Sequence, residues 1–260
     1  MEDVSVLILA GQRAGVVDPL CSEAGIERKA VIPLNGRPML DYVLAALQNT
    51  PLKTPYFISG YPATHSHVLV QSPEAPGPAG SALSAFEAGI AFPAIMTTAD
   101  HPLLTPEMLT HFISQARKSG ADFCVGLAEK TIIQPAYPDV KRTYLKFSDR
   151  SVSGCNLFYF ANADSLAAIR FWERAQKDRK RPMKLASHFG IRILFDYILG
   201  RLTLDSAFNY ASKRMGVLAK PILIPIAEAA IDVDKPSDKV LVERILKDRV
   251  QSEPKPIESA

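Results

Sequence analysis

From Val4 to Ala10 every residue except Ser5 is apolar, Val4, Val6 and Ile8 are β-branched, and the run stops at Gly11. A short run with no polar alternate face reads as a strand covered on both sides, the habit of parallel sheets in α/β proteins. Further strands are expected over Thr54 to Ser59, His67 to Val70, Ala94 to Ala99, Ala121 to Ala128 and Leu157 to Phe160. Helical spacing of Met39, Leu40, Val43, Leu44 and Leu47 predicts a helix from near Pro38, and Ser81 to Ala91 reads as a second. Pro106 to Ser119 reads as a third, with Thr105 as its cap. Strand and helix alternating at this interval mean βαβ units and a mostly parallel sheet.

The connections are expected to be irregular: a long loop from Gln12 to Lys29, and a Pro/Gly-rich loop from Ser72 to Gly80. Later, Ser165 to Lys180 and Ile191 to Leu204 read as helices. Ala230 to Val233 reads as a terminal strand, and Ser237 to about Arg249 as a closing helix. The chain reads as a single domain over 1–250, with a nucleotide-binding part at 1–128, an acceptor-specific part at 129–228 and a metal-binding strand and closing helix at 229–250. Residues 251–260, with two prolines and mixed charge, read as a disordered tail.

Charge and cysteine usage narrow the function. Thirty Lys+Arg against 27 Asp+Glu leave a net +3, too small and too dispersed to imply nucleic acid. The three cysteines, Cys21, Cys124 and Cys155, are scattered without CxxC spacing, which excludes a disulfide framework or zinc site and fits a reducing cytoplasm. No signal-peptide pattern precedes the first strand, and no stretch reaches the ~18–20 apolar residues of a spanning helix. A cytoplasmic location is therefore expected.

Three segments carry candidate chemistry. Gly11 opens a loop with Arg13 and Gly15 that Lys29 closes; amides freed of a Cβ, beside two cations, suit a polyphosphate, although a glycine turn with solvated basic residues fits as well. Asp100, in Thr97-Thr98-Ala99-Asp100-His101-Pro102-Leu103, stands at the carboxyl end of a strand, where open α/β sheets bind ligands and where a carboxylate suits Mg²⁺. The plainer alternative is a cap for the turn into Pro102. Asp232 and Asp234 alternate in Ile231-Asp232-Val233-Asp234-Lys235-Pro236, so only one can face a metal shared with Asp100, and an acidic loop capping the final helix is the simpler reading. None of the five histidines has metal-ligand spacing, and His101 reads as a structural turn residue.

Taken together, Leu9-Ala10-Gly11, Lys29-Ala-Val-Ile-Pro-Leu-Asn-Gly-Arg-Pro-Met-Leu40, Ala99-Asp-His-Pro-Leu103 and Asp232-Val-Asp-Lys-Pro-Ser-Asp238 resemble, in order and spacing, the MobA-like nucleotidyltransferases. The block from Lys29 is the most specific of these. The likeness runs from residue 4 to about 128 and resumes near 230. It implies an α/β, Rossmann-like fold of the GT-A type, Mg²⁺ chemistry without a covalent intermediate, and transfer of a nucleoside monophosphate from an NTP to a small phosphorylated acceptor. On the resemblance Leu9, Ala10, Gly11, Arg13 and Lys29 would bind the nucleotide, with Lys29 and Asp100 catalytic. Asp100 and Asp234 would hold the metal, and Gly80 and Ser81 would lie beside the base or ribose. The chain departs from the family loop Ala-Gly-Gly-x-Ser-x-Arg-Met-Gly, reading Gly11-Gln-Arg-Ala-Gly15 with a longer run to Lys29, and Ala99-Asp100-His101-Pro102 stands for Asp-Asp-x-Pro.

Acceptor recognition is expected at about 130 to 228, where the likeness fades, with Asn156 as the candidate contact; a turn role fits Asn156 equally. The basic run Arg174, Lys177, Arg179, Lys180, Arg181 and Lys184 reads as a solvated helix end, or as a patch for an anionic or lipid-linked acceptor. Core packing is the simpler account of the apolar face Ile191, Leu194, Phe195, Ile198, Leu199 and Leu202. Two further function classes stay open: a catalytically silent nucleotide-sensing module, and a GT-A glycosyltransferase using a nucleotide sugar. The second normally carries Asp-x-Asp where this chain has Ala99-Asp100-His101.

Overall fold

The computed structural model describes residues 1–12, 18–177 and 191–252. A mixed, mostly parallel sheet lies between two layers of helices. Its strands are β1 (Ser5–Leu9), β4 (Tyr56–Ser59), β5 (Leu69–Gln71), β6 (Ala94–Thr98), β7 (Phe123–Glu129), β8 (Leu145–Lys146), β9 (Ser151–Phe160) and β10 (Ala219–Leu223), in the order β10-β7-β9-β6-β1-β4-β5 with β8 added beside β9. β1 pairs in parallel with β4 and β6, β4 with β5, and β7 with β10. β9 runs antiparallel to both β6 and β7 and separates the two parallel groups.

Alternation along β1 explains the layers. Val4, Val6 and Ile8 face one core with α2 (Met39–Gln48) and α4 (Pro106–Ser119), through Leu40, Val43, Leu47, Leu109 and Phe112. Leu7 and Leu9 face the other with α3 (Gly77–Glu87) and α6 (Leu166–Lys177). Thr105 caps α4 as its sequence predicts, its hydroxyl accepting from the Met108 amide, and Gly120 ends the helix in the left-handed conformation.

A third apolar cluster assembles the site. Leu20 and Cys21 pack with Ile32, Leu34, Met39, Leu103, Ile231 and Val233, and with Val242, Ile245 and Leu246 of α9 (Pro236–Ser252). Chain segments some two hundred residues apart are thereby held together. The hairpin β2 (Pro33–Leu34) and β3 (Arg37–Pro38) turns at Asn35-Gly36, both with positive φ, the pairing that a two-residue turn of this hand requires.

Several sequence expectations need correction. The segment before Lys29 contains α1 (Pro19–Ala24), capped by Asp18 and closed by left-handed Gly25. Ala230 to Val233 is not a strand: a 3₁₀ turn spans Ala227–Ala230, and beyond it the Val233 amide donates one bond to the Asp100 carbonyl with no ladder following. The expected helix from Ile191 stops as α7 (Ile191–Ile198), Gly200 turns the chain at φ +63°, and α8 (Leu204–Met215) follows. The expected apolar face packs away only in part: Leu202 is buried, whereas Phe195, Ile198 and Leu199 are exposed. Most of the basic run (179–184), and the tail from 253, lie outside the described residues, while 251 and 252 continue α9. Helix α5 (Lys130–Ala136) and strand β10 were not anticipated.

Candidate active site at the carboxyl edge of the sheet

The carboxyl ends of β1, β4 and β6 converge, and each supplies a piece of the site. After β1 the chain enters Gly11. After β4, Gly60 lies so close that a Cβ there would sit 2.2 Å from the Gly11 Cα and 2.4 Å from its nitrogen, at φ +86°. Only glycine fits such an approach. Arg28 donates to the Gly60 carbonyl at 3.4 Å, which ties the approach to Lys29 to the same edge. On the other side of Gly11 the exposed Glu74 carboxylate lies 3.5 Å from where a Cβ would be built.

After β6 comes Asp100. Its Oδ1 accepts from the Thr98 hydroxyl at 2.6 Å and its Oδ2 from the Lys29 ammonium at 2.8 Å. The same ammonium donates to Asp234 Oδ1 at 2.8 Å. Lys29 is positioned by a single 3₁₀ turn, Lys29–Val31, whose Ala30 and following Ile32 are buried. Asp234 arrives through the Val233 amide on the Asp100 carbonyl, and its own amide is capped by Asp238 Oδ2.

The side chains of Lys29 and Asp100 are 16% and 24% exposed, whereas Asp234 is 64% exposed, so the pair has a solvent-open third member. Burial disfavours charge on Lys29, but Asp100 and Asp234 outweigh it and its pKa is raised. Burial likewise works against the Asp100 carboxylate, yet Lys29 and Thr98 hold its pKa below the usual 3.8. Lys29 and Asp100 are thus both charged at neutral pH. Beside it the His101 ring is buried, and burial pushes its pKa down to about 4, so the ring is neutral.

Asp232 points elsewhere. It pairs with Arg142 at 2.7 Å and accepts from the Asn156 amide at 3.0 Å, and both ion-pair partners are largely buried. Burial, with Asp234 and Asp100 nearby, raises its pKa against the pull of Arg142. Asn156 has φ +50° and lies where the β7–β9 register shifts between Val125 and Leu127. That irregularity is what aims its amide at Asp232.

Lys29, Asp100, Asp234 and Gly11 are therefore gathered at one edge. Asn156 reaches the neighbourhood, but its amide is given to Asp232. Ser81 is buried in the first turns of α3, its hydroxyl bonded to the Ala75 amide and carbonyl, and a Cβ on Gly80 would touch Ala75. Both shape the loop that carries Glu74. Leu9 and Ala10 are buried, with the Ala10 amide donating to the Ser59 carbonyl. Arg13 lies outside the described residues. Sequence reading missed Thr98, Gly60 and Arg142. A hydroxyl two residues before a strand-end aspartate and a glycine ending a strand are legible signals; nothing in the sequence marks Arg142.

A family model described as the MobA-like NTP transferase domain matches residues 6–149. A solved structure titled as a hypothetical transferase from Thermus thermophilus superposes with TM-score 0.78 at 26% identity, covering 91% of this chain and 99% of that one. The 2-C-methyl-D-erythritol 4-phosphate cytidylyltransferase of Thermus thermophilus shares the fold at TM-score 0.53 and 16% identity, over 94% of this chain and 99% of that one. Molybdopterin-guanine dinucleotide biosynthesis protein A of Archaeoglobus fulgidus does so at 0.51 and 13%, over 94% and 100%. No curated protein sequence matches the chain. The described residues contain no helix long and apolar enough to cross a membrane.

Proposed function

The chain belongs to the MobA-like NTP transferase family, and from that premise we propose that it moves a nucleoside monophosphate from an NTP to a small phosphorylated acceptor, releasing pyrophosphate. The observation that carries the proposal is the Lys29 ammonium, 2.8 Å from both Asp100 and Asp234 beside the Gly11–Gly60 backbone contact.

The chemistry asks for alignment and charge stabilisation more than for acid–base work. An acceptor phosphate oxygen is already a nucleophile; it forms a bond to the α-phosphorus in line as the α–β bridging oxygen departs with its electron pair on pyrophosphate. Gly11, free of a Cβ, lets polyphosphate approach the backbone. Lys29, buried on its stem and fully protonated, offers a fixed positive charge to the phosphate oxygens on which charge builds. Thr98 holds Asp100 in one orientation, and Asp238 holds the Asp234 backbone.

The donor set suits Mg²⁺. Two carboxylate oxygens converge on one cationic point, and the described residues contain no group of three or more His, Cys, Asp or Glu that could cage a metal alone. Mg²⁺ commonly takes one or two carboxylates and completes its shell with phosphate oxygens and water. Asp100 and Asp234 would hold it together with the nucleotide, where it would neutralise phosphate charge.

A thermal-shift plate of the four ribo-NTPs, each with and without Mg²⁺, tests the reading on wild type and Lys29→Ala. One NTP should raise the melting temperature, with Mg²⁺ required and the shift lost in the variant; ligand at a hundredfold its Kd stabilises by about 2.7 kcal/mol. Silence with all four NTPs, with a response to nucleotide sugars on the same plate, would replace the donor and sink the proposal.

A further inference from the structure

A cleft of about 560 Å³ opens between residues 136–141, which follow β7 and α5, and the first turns of α9. It falls within the ~300–1,000 Å³ of small-ligand sites. We infer that this cleft binds the acceptor, and that the acceptor is a phosphomonoester carrying an apolar body. The inference rests on the nucleotidyl-transfer reading for the acceptor role, though not for the binding itself.

Position comes first. Two lysines on the lining are next in the chain to residues of the corner: Lys235 directly follows Asp234, and Lys141 directly precedes Arg142, the partner of Asp232. Lys235 thus adjoins the aspartate that meets Lys29, and Lys141 adjoins the arginine that braces the same segment through Asp232. A phosphate held there would adjoin the corner in which the nucleotide is proposed to react. Arg244, more than two turns further along α9, is the third cation on the lining.

Charge comes second. Among the described residues Lys141 and Arg244 make no ion pair, and Lys235 has only a 3.9 Å approach to Asp238. Asp238 is itself buried and committed to the Asp234 amide, which leaves Asp139 as the other acid on the lining. The available charge is thus cationic, and Arg and Lys side chains left free beside a cleft suit a phosphate dianion.

Shape comes third. The same lining carries apolar side chains: Val140, Leu241 and Val240, the last 67% exposed. Valine is a weak choice for a solvated helix face, since β-branching adds no helix propensity. A ligand with a hydrocarbon or aromatic body would cover these side chains while its phosphate reached the lysines. The family match ends at residue 149, so the α9 wall of the cleft, from Lys235 to Arg244, lies outside it. This is where acceptor preferences would differ between relatives.

Phenyl phosphate is the probe, titrated against wild type and followed through the valine and leucine methyl signals, with inorganic phosphate alongside. Phenyl phosphate should bind more tightly than inorganic phosphate. Lys141→Ala combined with Arg244→Ala should weaken it at least tenfold, and Val240→Trp, which fills the cleft without removing charge, should do the same. The Mg²⁺-dependent NTP shift should survive in both variants, because neither touches Lys29, Asp100 or Asp234. Co-sedimentation with phosphatidic-acid vesicles that the same variants abolish would assign the phosphomonoester to a lipid, and its absence would assign it to solution. Unchanged affinity in the variants, or no binding by wild type, overturns the inference even if the NTP shift is present. Phenyl phosphate binding at the cleft without any NTP shift in wild type would overturn the acceptor role and the transfer reading together.

Discussion

Asp232 and Asp234 are two residues apart and meet opposite fates. Asp234 is 64% exposed and shares the Lys29 ammonium with Asp100; Asp232 is 15% exposed and is spent on Arg142 and Asn156. Extended backbone sends alternate side chains to opposite sides, so one carboxylate must turn inward if the other turns to Lys29 and solvent. The inner one braces the segment and the outer one stays exchangeable. Acid acts on the two regions in opposite senses. Asp100 has a lowered pKa, so its contribution to stability is present above 3.8 and lost as pH falls further. Asp232 has a raised pKa, so the stability it contributes is complete below 3.8 and declines as pH rises through its folded value. The reacting corner is built for charge; the bracing pair tolerates charge at a cost.

The sharpest way to break this comparison is to exchange the consequences of mutation. Lys29→Ala should lower turnover by about 10²–10³-fold or more, as loss of a preorganised charge does, with the fold retained. Steady-state kinetics with circular dichroism would check it, and near-normal activity would remove Lys29 from its role. Asp232→Ala should do the reverse, destabilising by about 3 kcal/mol because Arg142 is left buried and unpaired, while the surviving native protein keeps its NTP shift. Urea denaturation reads the first effect, and a loss under about 1 kcal/mol would mean that Arg142 finds another partner or reaches water.

His101 sharpens the pH side. A fall from its ordinary 6.5 to about 4 makes the unfolded chain bind the proton first, so stability is full above 6.5 and drains as pH falls towards 4. At 1.36 kcal/mol per unit the loss is about 3 kcal/mol. His101→Leu should flatten that limb in denaturation series between pH 7 and 4.5, leaving the acid limb of Asp100 below 3.8. The smallest effect belongs to Asn156→Gly, which relieves a positive φ but deletes the bond to Asp232; the net cost should be about 1 kcal/mol by melting temperature. A gain in stability would make Asn156 a contact for something other than Asp232.

Much of this was legible in the sequence, for a physical reason. Strands buried on both faces must be apolar throughout, so β1 and β6 announce themselves, and Thr105 caps α4 as its neighbours require. Lys29, Asp100 and Asp234 stand out because each falls in a segment that resembles the MobA-like family in order and spacing. What escaped has no periodic signature. α1 is a six-residue helix framed by Asp18-Pro19 and Gly25, a legible start and stop around a stretch too short for helical spacing to emerge. The terminal segment Ala230 to Val233, expected as a strand, has no ladder beyond one bond to the Asp100 carbonyl. Arg142 depends on tertiary burial alone, which no local pattern encodes.

The antiparallel strand β9 sets a limit on how this molecule can be cut or assembled. The matched family segment stops at residue 149, and β9 begins at Ser151, yet β9 fills the middle of the sheet between β6 and β7. A fragment ending where the family likeness ends would carry two raw edges in its interior, each a template for pairing with another copy. On a ribosome, likewise, β6 and β7 must wait for Phe160 before the gap between them can close, so the recognisable half of the chain is not the half that folds.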